Sequence, residues 1–569
     1  MGAGQFRFPL LMEILRALLA RALAPVRIFW RRTWFYRTLL KGRMPDRIVF
    51  HPYDASPRHL EDADALLHGR FRYAGATVEV GDASIFDKSP PSSAWLEALH
   101  AFVWLPPLSA AGGEAARKLA TNLVAQWVKR NARYSEPAWS PEILARRLTN
   151  VFAHGRFALA NSDVLWRSRL LVALREQSRM LHRVAESAPE GFARLEAAAA
   201  LALSGACLDD SPARLASGIA LMETELGHQI LPDGGHATRS PELLLATHNL
   251  LLMVSDALSA IGRPTPAALR NALDRMVPML RFFRMGDGGL ALFNGGHQGD
   301  PRMIEALLAR DTVRGQPFAF APHSGFHRLA AGRSTILMDC GKVPEGLFAT
   351  AAHAGCLSFE FSAAAQRIIV NCGAAPLWQT QWGSALRATA AHSTVTVADR
   401  SSATVTSGWI ASFLGPRLTG GPTEIRTNRR ETPQGLLVEA THDGYLSAFG
   451  ILHERRIALS TDGFSLGGSD RLVRKSDSRR RSVPIPFAAR FHIHPDVRVS
   501  PMQSGGILLK LASGEGWRFQ VKQHEIAIEE SIYLGTSGGA RKTEQLVISG
   551  TIGQDPVEVN WSLQKIGMP

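Results

Sequence analysis

The sequence predicts a multidomain α+β chain in which an array of helical hairpins precedes an antiparallel β-sandwich. Three observations predict it. Apolar residues recur at helical spacing from about residue 90 to residue 285. Beyond Asp287 the period falls to two, and turn residues arrive at short intervals. The period changes once, so helices and strands are segregated into tandem domains. The expected boundaries are a basic amphipathic segment at 1–50, a helical domain at 51–286 and a sandwich at 287–569.

With 569 residues the chain exceeds what one hydrophobic core holds. Hydrophobic residues make up 46% and charged residues 20%, as in ordinary globular proteins. The formal charge of +14 and a pI of about 10.1 favour polyanionic partners: acidic polysaccharide, nucleic acid or an anionic membrane. No zinc-finger spacing or aromatic RNA-binding signature occurs, so nucleic acid is not expected. A generally basic protein without such a partner is the plainer alternative. Cys207, Cys340, Cys356 and Cys372 form no CxxC pair, which argues against a disulfide scaffold.

Residues 8–43, FPLLMEILRALLARALAPVRIFWRRTWFYRTLLKGR, combine leucines, aromatics and arginines. Glu13, Arg16 and Arg21 break the apolar run, so it is too charged to span a bilayer. It has no small-residue cleavage site of the secretory kind. An Arg-rich amphipathic helix of this type lies on an anionic membrane or covers a domain.

Ser140-Pro141 supplies a cap and a first-turn proline ahead of Leu144, Leu148 and Val151. Ser211-Pro212 repeats the design before Leu215, Ile219, Met222 and Leu226. Thr265-Pro266 repeats it before Leu269, Leu273, Met276, Leu280 and Phe283, with Pro278 expected to kink that helix. FARLEAAAALALSGACL and ELLLATHNLLLMVSDALSAIG are apolar over most of their circumference, which predicts burial on several sides. Helix pairs on short loops predict an array curving into a toroid or solenoid.

GDGGLALFNGG then reads as turn, short strand, turn. In the run HAGCLSFEFSAAAQRIIVNCG, Leu357, Phe359 and Phe361 alternate with Ser358, Glu360 and Ser362, predicting a half-buried strand. Ile368, Val370 and Cys372 share a face of its partner. His353 is expected to enter the first strand, Asn371 to leave the second and His392 to open a third, STVTV, so that three polar groups meet at one end of a sheet. Further strands follow in GLLVEATHDGY, HERRIALSTDGFSLGG, ARFHIHPDVRV, GILLKLASGEGWRFQV and EQLVISGTI.

These histidine strands, with LPDGGHATRSP at 231–241, THDGY at 441–445 and HERRIAL at 453–459, resemble the heparinase II/III-like polysaccharide lyases. The resemblance covers most of the chain beyond the N-terminal helix. It implies an incomplete (α/α) toroid followed by an antiparallel β-sandwich. It also implies β-elimination on a uronate-containing polysaccharide, and work in the cell envelope or periplasm. The absence of a clear signal leaves a cytoplasmic or membrane-peripheral site as the alternative.

Such elimination needs a group to neutralise the carboxylate beside C5, a base for the C5 proton and an acid for the leaving oxygen. In the family a toroid Asn or His neutralises, and Tyr and His act as acid and base. The matching positions here are Phe192 and Ala193, Leu243 and Ala351. A hydrocarbon cannot transfer a proton, so other groups must serve if the chain is a lyase. Arg239 is the candidate carboxylate clamp and His236 the candidate base, both in a Gly-rich turn before a helix. Tyr445 is the candidate acid, and His353 lines the substrate-binding wall. The resemblance places His353, Asn371 and His392 at the sandwich metal position, implying zinc. The middle ligand in the family is typically Asp, and an Asn there weakens such a site.

Other residues have blander readings. His248 is expected in the core, and Arg455 and Arg456 in charge pairs on the sheet surface. His492 and His494 share a strand face that points to solvent or an interface, and Arg479–Arg481 form a solvated basic loop. No Walker, dinucleotide, EF-hand or Gly-Xaa-Ser-Xaa-Gly pattern occurs. The rival to a lyase is a non-catalytic glycan-binding or envelope-assembly protein with a degenerate site. A membrane-surface factor using the N-terminal helix is a third reading.

Overall fold

A computed structural model describes residues 7–56, 60–81, 83–159, 164–208, 211–310, 317–375, 380–475, 483–536 and 539–567. Arg479–Arg481 lie outside these. The chain divides into two compact units, Met1–Gln229 with Ala246–Asp274, and Ile230–Leu245 with Arg275–Pro569.

The first unit is mainly helical, with a small hairpin of Arg70–Tyr73 and Ala76–Glu79; the division between the units falls inside the helices Pro241–Ala260 and Ala267–Phe283. The three Ser/Thr-Pro signals open helices at Pro141–Leu159, Pro212–Gln229 and Ala267–Phe283, the last running through Pro278. Phe192–Cys207 is buried from Leu195 to its end. Its Gly205 lies so close to Leu215 that a Cβ would meet that residue's backbone nitrogen at 2.4 Å, which lets two helices pack backbone to backbone. Pro241–Ala260, the one helix among the described residues long and apolar enough to cross a bilayer, is mostly buried inside the protein. At the N-terminus, Arg7–Arg32 and Trp34–Leu39 are helical, with Thr33 capping the second.

The second unit carries two antiparallel sheets of eight and nine strands. The eight-stranded sheet is centred on Ile451–Ser460, Ser465–Arg474 and Val557–Ile566. The nine-stranded sheet is centred on Ile485–Ile493, Gln366–Val370 and Phe359–Ala363. Phe359, Phe361, Phe491, Trp517, Phe519 and Trp561 meet in the core, and Phe359 stacks on Trp561 with ring centroids 5.5 Å apart.

Several local expectations change. The strand at Phe359–Ala363 is buried on both faces, not half-buried. Its polar face is covered: Ser362 accepts the Gly286 amide, and Glu360 meets Arg367 and the Asn371 amide. His353 precedes this strand rather than entering it, and His392 follows a short 3-10 turn at Thr389–Ala391. GDGGLALFNGG forms only an isolated bridge, Arg284 to Leu290. The segment 230–245 belongs to the sandwich-bearing unit, so His236 and Arg239 are not on the helical domain.

Candidate functional site

The segment carrying His236 and Arg239 is stapled in place by Asp233. One Asp233 oxygen accepts the Gly235 amide and the Ser324 hydroxyl, and the other accepts the amides of His323 and Ser324. Gly234 has φ 86°, and a Cβ there would lie 2.0 Å from the Arg275 carbonyl, so only glycine fits.

Arg239 itself sits in the left-handed region at φ 59°. Its guanidinium is spent internally. Nε donates to the Ser324 carbonyl at 2.7 Å, one terminal nitrogen to the Lys342 carbonyl at 3.1 Å and the other to the Asp339 carboxylate. The Phe326 ring lies beneath, 4.6 Å from the guanidinium carbon. Burial raises the Asp339 carboxyl and Arg239 pulls it back down. Arg239 therefore holds a buried carboxylate of its own chain.

His236 is 1% exposed, and its Nδ1 accepts the Thr238 amide at 3.2 Å. Burial lowers its pKa to about 3. An imidazole held neutral that far down is a weak base at pH 7. Tyr445 is also interior. Its hydroxyl donates to the Val395 carbonyl at 2.7 Å, and burial raises its pKa. Both groups expected to transfer protons are desolvated and bonded within the sandwich unit.

The structure does bring several expected residues into one neighbourhood. The Asn294 side chain donates to the Arg239 carbonyl and accepts the His353 amide. Arg387 fastens the loop before His353 by donating to the carbonyls of Ala349, Ala352 and Pro416. His353 Nδ1 and His392 Nε2 are 3.1 Å apart. His392 Nδ1 faces the Ala388 carbonyl at 2.8 Å and must be the donor there. Its Nε2 is then the acceptor, and His353 Nδ1 donates to it. Burial, then the neighbouring His392 and Arg387, lower the pKa of His353; burial takes His392 to about 4.

Asn371 is equally committed. Its Oδ1 accepts the Ser393 amide at 3.1 Å and its Nδ2 donates to the Leu292 carbonyl at 3.2 Å. A zinc ion here would have to displace the His353–His392 hydrogen bond, and Asn371 offers only an amide oxygen where zinc favours His, Cys or carboxylate ligands, so this set fits zinc poorly. Of the nearby thiols, Cys372 Sγ lies 3.4 Å from His492 Nδ1, and burial raises the pKa of Cys356. No group of three or more His, Cys, Asp or Glu is placed to hold a metal among the described residues.

Beside this cluster lies a buried relay that sequence reasoning missed. Asp470 accepts two hydrogen bonds from Arg455, one from His453 Nε2 and one from Trp561 Nε1. His453 Nδ1 faces His442 Nε2 at 3.1 Å, and His442 Nδ1 accepts the Gly444 amide. Arg455 also reaches the carbonyls of Leu357 and Ser393, tying the eight-stranded sheet to the other. Arg455 is thus buried rather than on the surface; Arg456 alone makes the expected exposed pair, with Glu439. His492 and His494 are buried too, His492 against Ser531 and the Ala390 carbonyl. The signal in the sequence was a charge amid apolar strand residues, as in LGGSDRLV and STILMD.

This fold defines a class. Residues 313–562 match the family model "Heparinase II/III-like, C-terminal". The chain belongs to the heparinase II/III-like family, with the family's toroid and sandwich. It is 33% identical over 547 residues to FtsZ-localized protein C of Caulobacter vibrioides, covering 94% of each chain. Among solved structures it resembles a heparinase III (TM-score 0.68, 13% identity, 99% of this chain and 92% of that one). It also resembles a mutant heparan sulfate lyase HepC from Pedobacter heparinus (TM-score 0.61, 15% identity, 98% and 91%). At these identities the likeness to the two lyases concerns the fold.

Proposed function

We propose that this protein is a non-catalytic, FtsZ-localised member of the heparinase II/III-like family, held at an anionic membrane surface by its N-terminal helix. One observation carries the reading. The positions expected to neutralise the carboxylate are Phe192 and Ala193, those expected to move protons are Leu243 and Ala351, all four are hydrocarbons, and the substitutes Arg239, His236 and Tyr445 are bonded inside the protein. Acidic polysaccharide is then a ligand rather than a substrate, and the sandwich needs no zinc.

The localisation rests on two supports. The relative named for its localisation with FtsZ aligns over nearly the whole chain. The N-terminal helix has the chemistry of an interfacial anchor. Met12, Leu15, Leu19, Leu23, Val26 and Trp30 follow one another at steps of three and four residues, on one face, and each is exposed. Phe29, Trp34 and Phe35 extend the exposed apolar surface, and Arg21, Arg27 and Arg32 are exposed alongside. Burying that face in the headgroup region removes it from water, and each basic residue near an anionic surface adds about 1 kcal/mol.

The test has two parts. A fluorescent fusion is imaged with labelled FtsZ, with and without residues 1–45; overlap that needs the helix is the expected result. Purified protein is incubated with heparan, alginate, chondroitin and bacterial exopolysaccharides while ultraviolet absorbance by unsaturated uronate is followed. A flat trace is expected. A sustained rise, lost in His236→Ala or Arg239→Ala variants that still fold, would reinstate β-elimination.

A further inference from the structure

The eight-stranded sheet turns one face to the sandwich core and the other to solvent. Along Val557–Ile566, Val559, Trp561 and Leu563 enter the core, so Asn560, Ser562 and Gln564 stand on the outer face. The register carries that face to the edge of the sheet. Gln564 pairs with Arg518 of Gly516–Val521, and Arg518 pairs with Leu508 of Ile507–Lys510. Lys510 pairs with Arg498 of the edge strand Arg498–Pro501. Toward the middle, Ser562 pairs with Gln520 on one side and with Gly467 on the other.

Arg498, Lys510 and Arg518 therefore occupy three consecutive strands on one face. Arg498 and Lys510 are exposed and directly opposite each other, a placement of like charges that destabilises a sheet. Lys510 faces Gly516, two residues before Arg518, which makes Lys510 and Arg518 diagonal neighbours. None of the three makes an ion pair among the described residues. Glu515, which precedes the Arg518 strand, is taken by Lys565 at 3.0 Å. Met568 and Pro569, beyond the end of the neighbouring strand, lie outside the described residues. The Arg518 Nε is buried without a hydrogen-bond partner. Next to these cations, the side chains of Gln520, Gln564, Asn560 and Ser562 make no hydrogen bond among the described residues. The floor beside them is open, since a Cβ on Gly467 would meet nothing within 4 Å.

We infer that this edge of the outer face binds an acidic polysaccharide. Arg498, Lys510 and Arg518 take its anionic groups, and the neighbouring amides take its hydroxyls. The inference rests on the reading of acidic polysaccharide as a ligand and gives that ligand a place on the eight-stranded sheet. Guanidiniums match carboxylate or sulfate oxygens in pairs, and a primary amide both donates and accepts, as a hydroxyl requires. No aromatic ring stands on the outer face of these strands, so nucleobases find no stacking platform there.

The full chain is tested as wild type, Lys510→Glu, Lys542→Glu and the double variant Gln520→Ala with Gln564→Ala. Lys542 is an exposed residue of the other sheet and matches the change in net charge. Each is titrated by calorimetry with alginate and with polyglutamate, a polyanion without hydroxyls, at equal low ionic strength. The loss of a charge-assisted hydrogen bond is worth about ten-fold in affinity and that of neutral ones about five-fold. Lys510→Glu is expected to lose the ten-fold factor on alginate and Lys542→Glu much less. The amide variant is expected to lose about five-fold on alginate and nothing on polyglutamate. Lys510→Glu puts a carboxylate between Arg498 and Arg518, so its unfolding temperature is expected not to fall.

Equal losses in Lys510→Glu and Lys542→Glu would overturn the surface and leave only the attraction of a basic protein. An amide variant that binds alginate as wild type does, or loses as much on polyglutamate, would overturn the saccharide and leave an acidic peptide as the ligand. If wild type binds no alginate, the polysaccharide reading fails together with this one. A loss on polyglutamate confined to Lys510→Glu would then assign the cations to an acidic peptide instead.

Discussion

Arg239 shows how one side chain changes meaning with its surroundings. A guanidinium behind a glycine turn has the form of a carboxylate clamp, and here the carboxylate it clamps is Asp339. Arg239→Ala leaves that carboxylate buried and unpaired, which costs about 3–5 kcal/mol. Urea denaturation measures this; an unchanged midpoint would mean that Arg239 is free for a ligand. Asn371 offers a second test. Asn371→Asp removes the donor to the Leu292 carbonyl and buries a charge, so a loss of about 1–3 kcal/mol is expected. Elemental analysis of the wild type and of this variant checks the metal side of the same residue: no stoichiometric zinc is expected in the wild type.

The N-terminal helix and the strand at Phe359–Ala363 are opposite cases at the scale of the element. The helix exposes an apolar row, which therefore adds little to the core. Leu19→Glu combined with Trp30→Glu should abolish vesicle flotation and leave the thermal unfolding of the protein unchanged. A lowered unfolding temperature would indicate that the row covers a domain instead. The strand, in contrast, is buried throughout and stacks Phe359 on Trp561. Phe359→Ala opens a cavity in the sandwich core and should cost about 3–5 kcal/mol in chemical denaturation.

Across the whole molecule, buried imidazoles set the response to acid. Burial lowers the pKa of His236 to about 3, of His392 to about 4 and of His492 to about 3, all below the ordinary 6.5. A depressed folded-state pKa means that their stabilising contribution is complete above about pH 6.5 and is lost as pH falls toward 3–4. Each removes about 1.4 kcal/mol per pH unit within that window. Glu360 acts in the opposite sense. Burial, partly offset by Arg367, raises it to about 7, so its contribution is complete below about 4.5 and lost as pH rises through 7. Several imidazoles outweigh one carboxyl, so unfolding temperature should peak near neutrality and fall steeply below pH 6. A flat profile from pH 7 to 4 would show that these histidines take up protons without unfolding.

The sequence by itself determined the order of helices and strands, the starts of three helices and the family. These follow from period, caps and turn chemistry, which act within a few residues: Ser140-Pro141, Ser211-Pro212 and Thr265-Pro266 sit directly before the helices they open. It also located the histidine region, because His353, Asn371 and His392 lie in one run of chain. Only the tertiary structure decided what the polar residues do. Asp339 is 100 residues from Arg239, Asn294 is 59 from His353, and Arg455 meets the Leu357 carbonyl 98 residues away. Whether an arginine clamps a ligand or a buried aspartate depends on which distant groups share its low-dielectric surroundings, and local sequence carries no record of that distance.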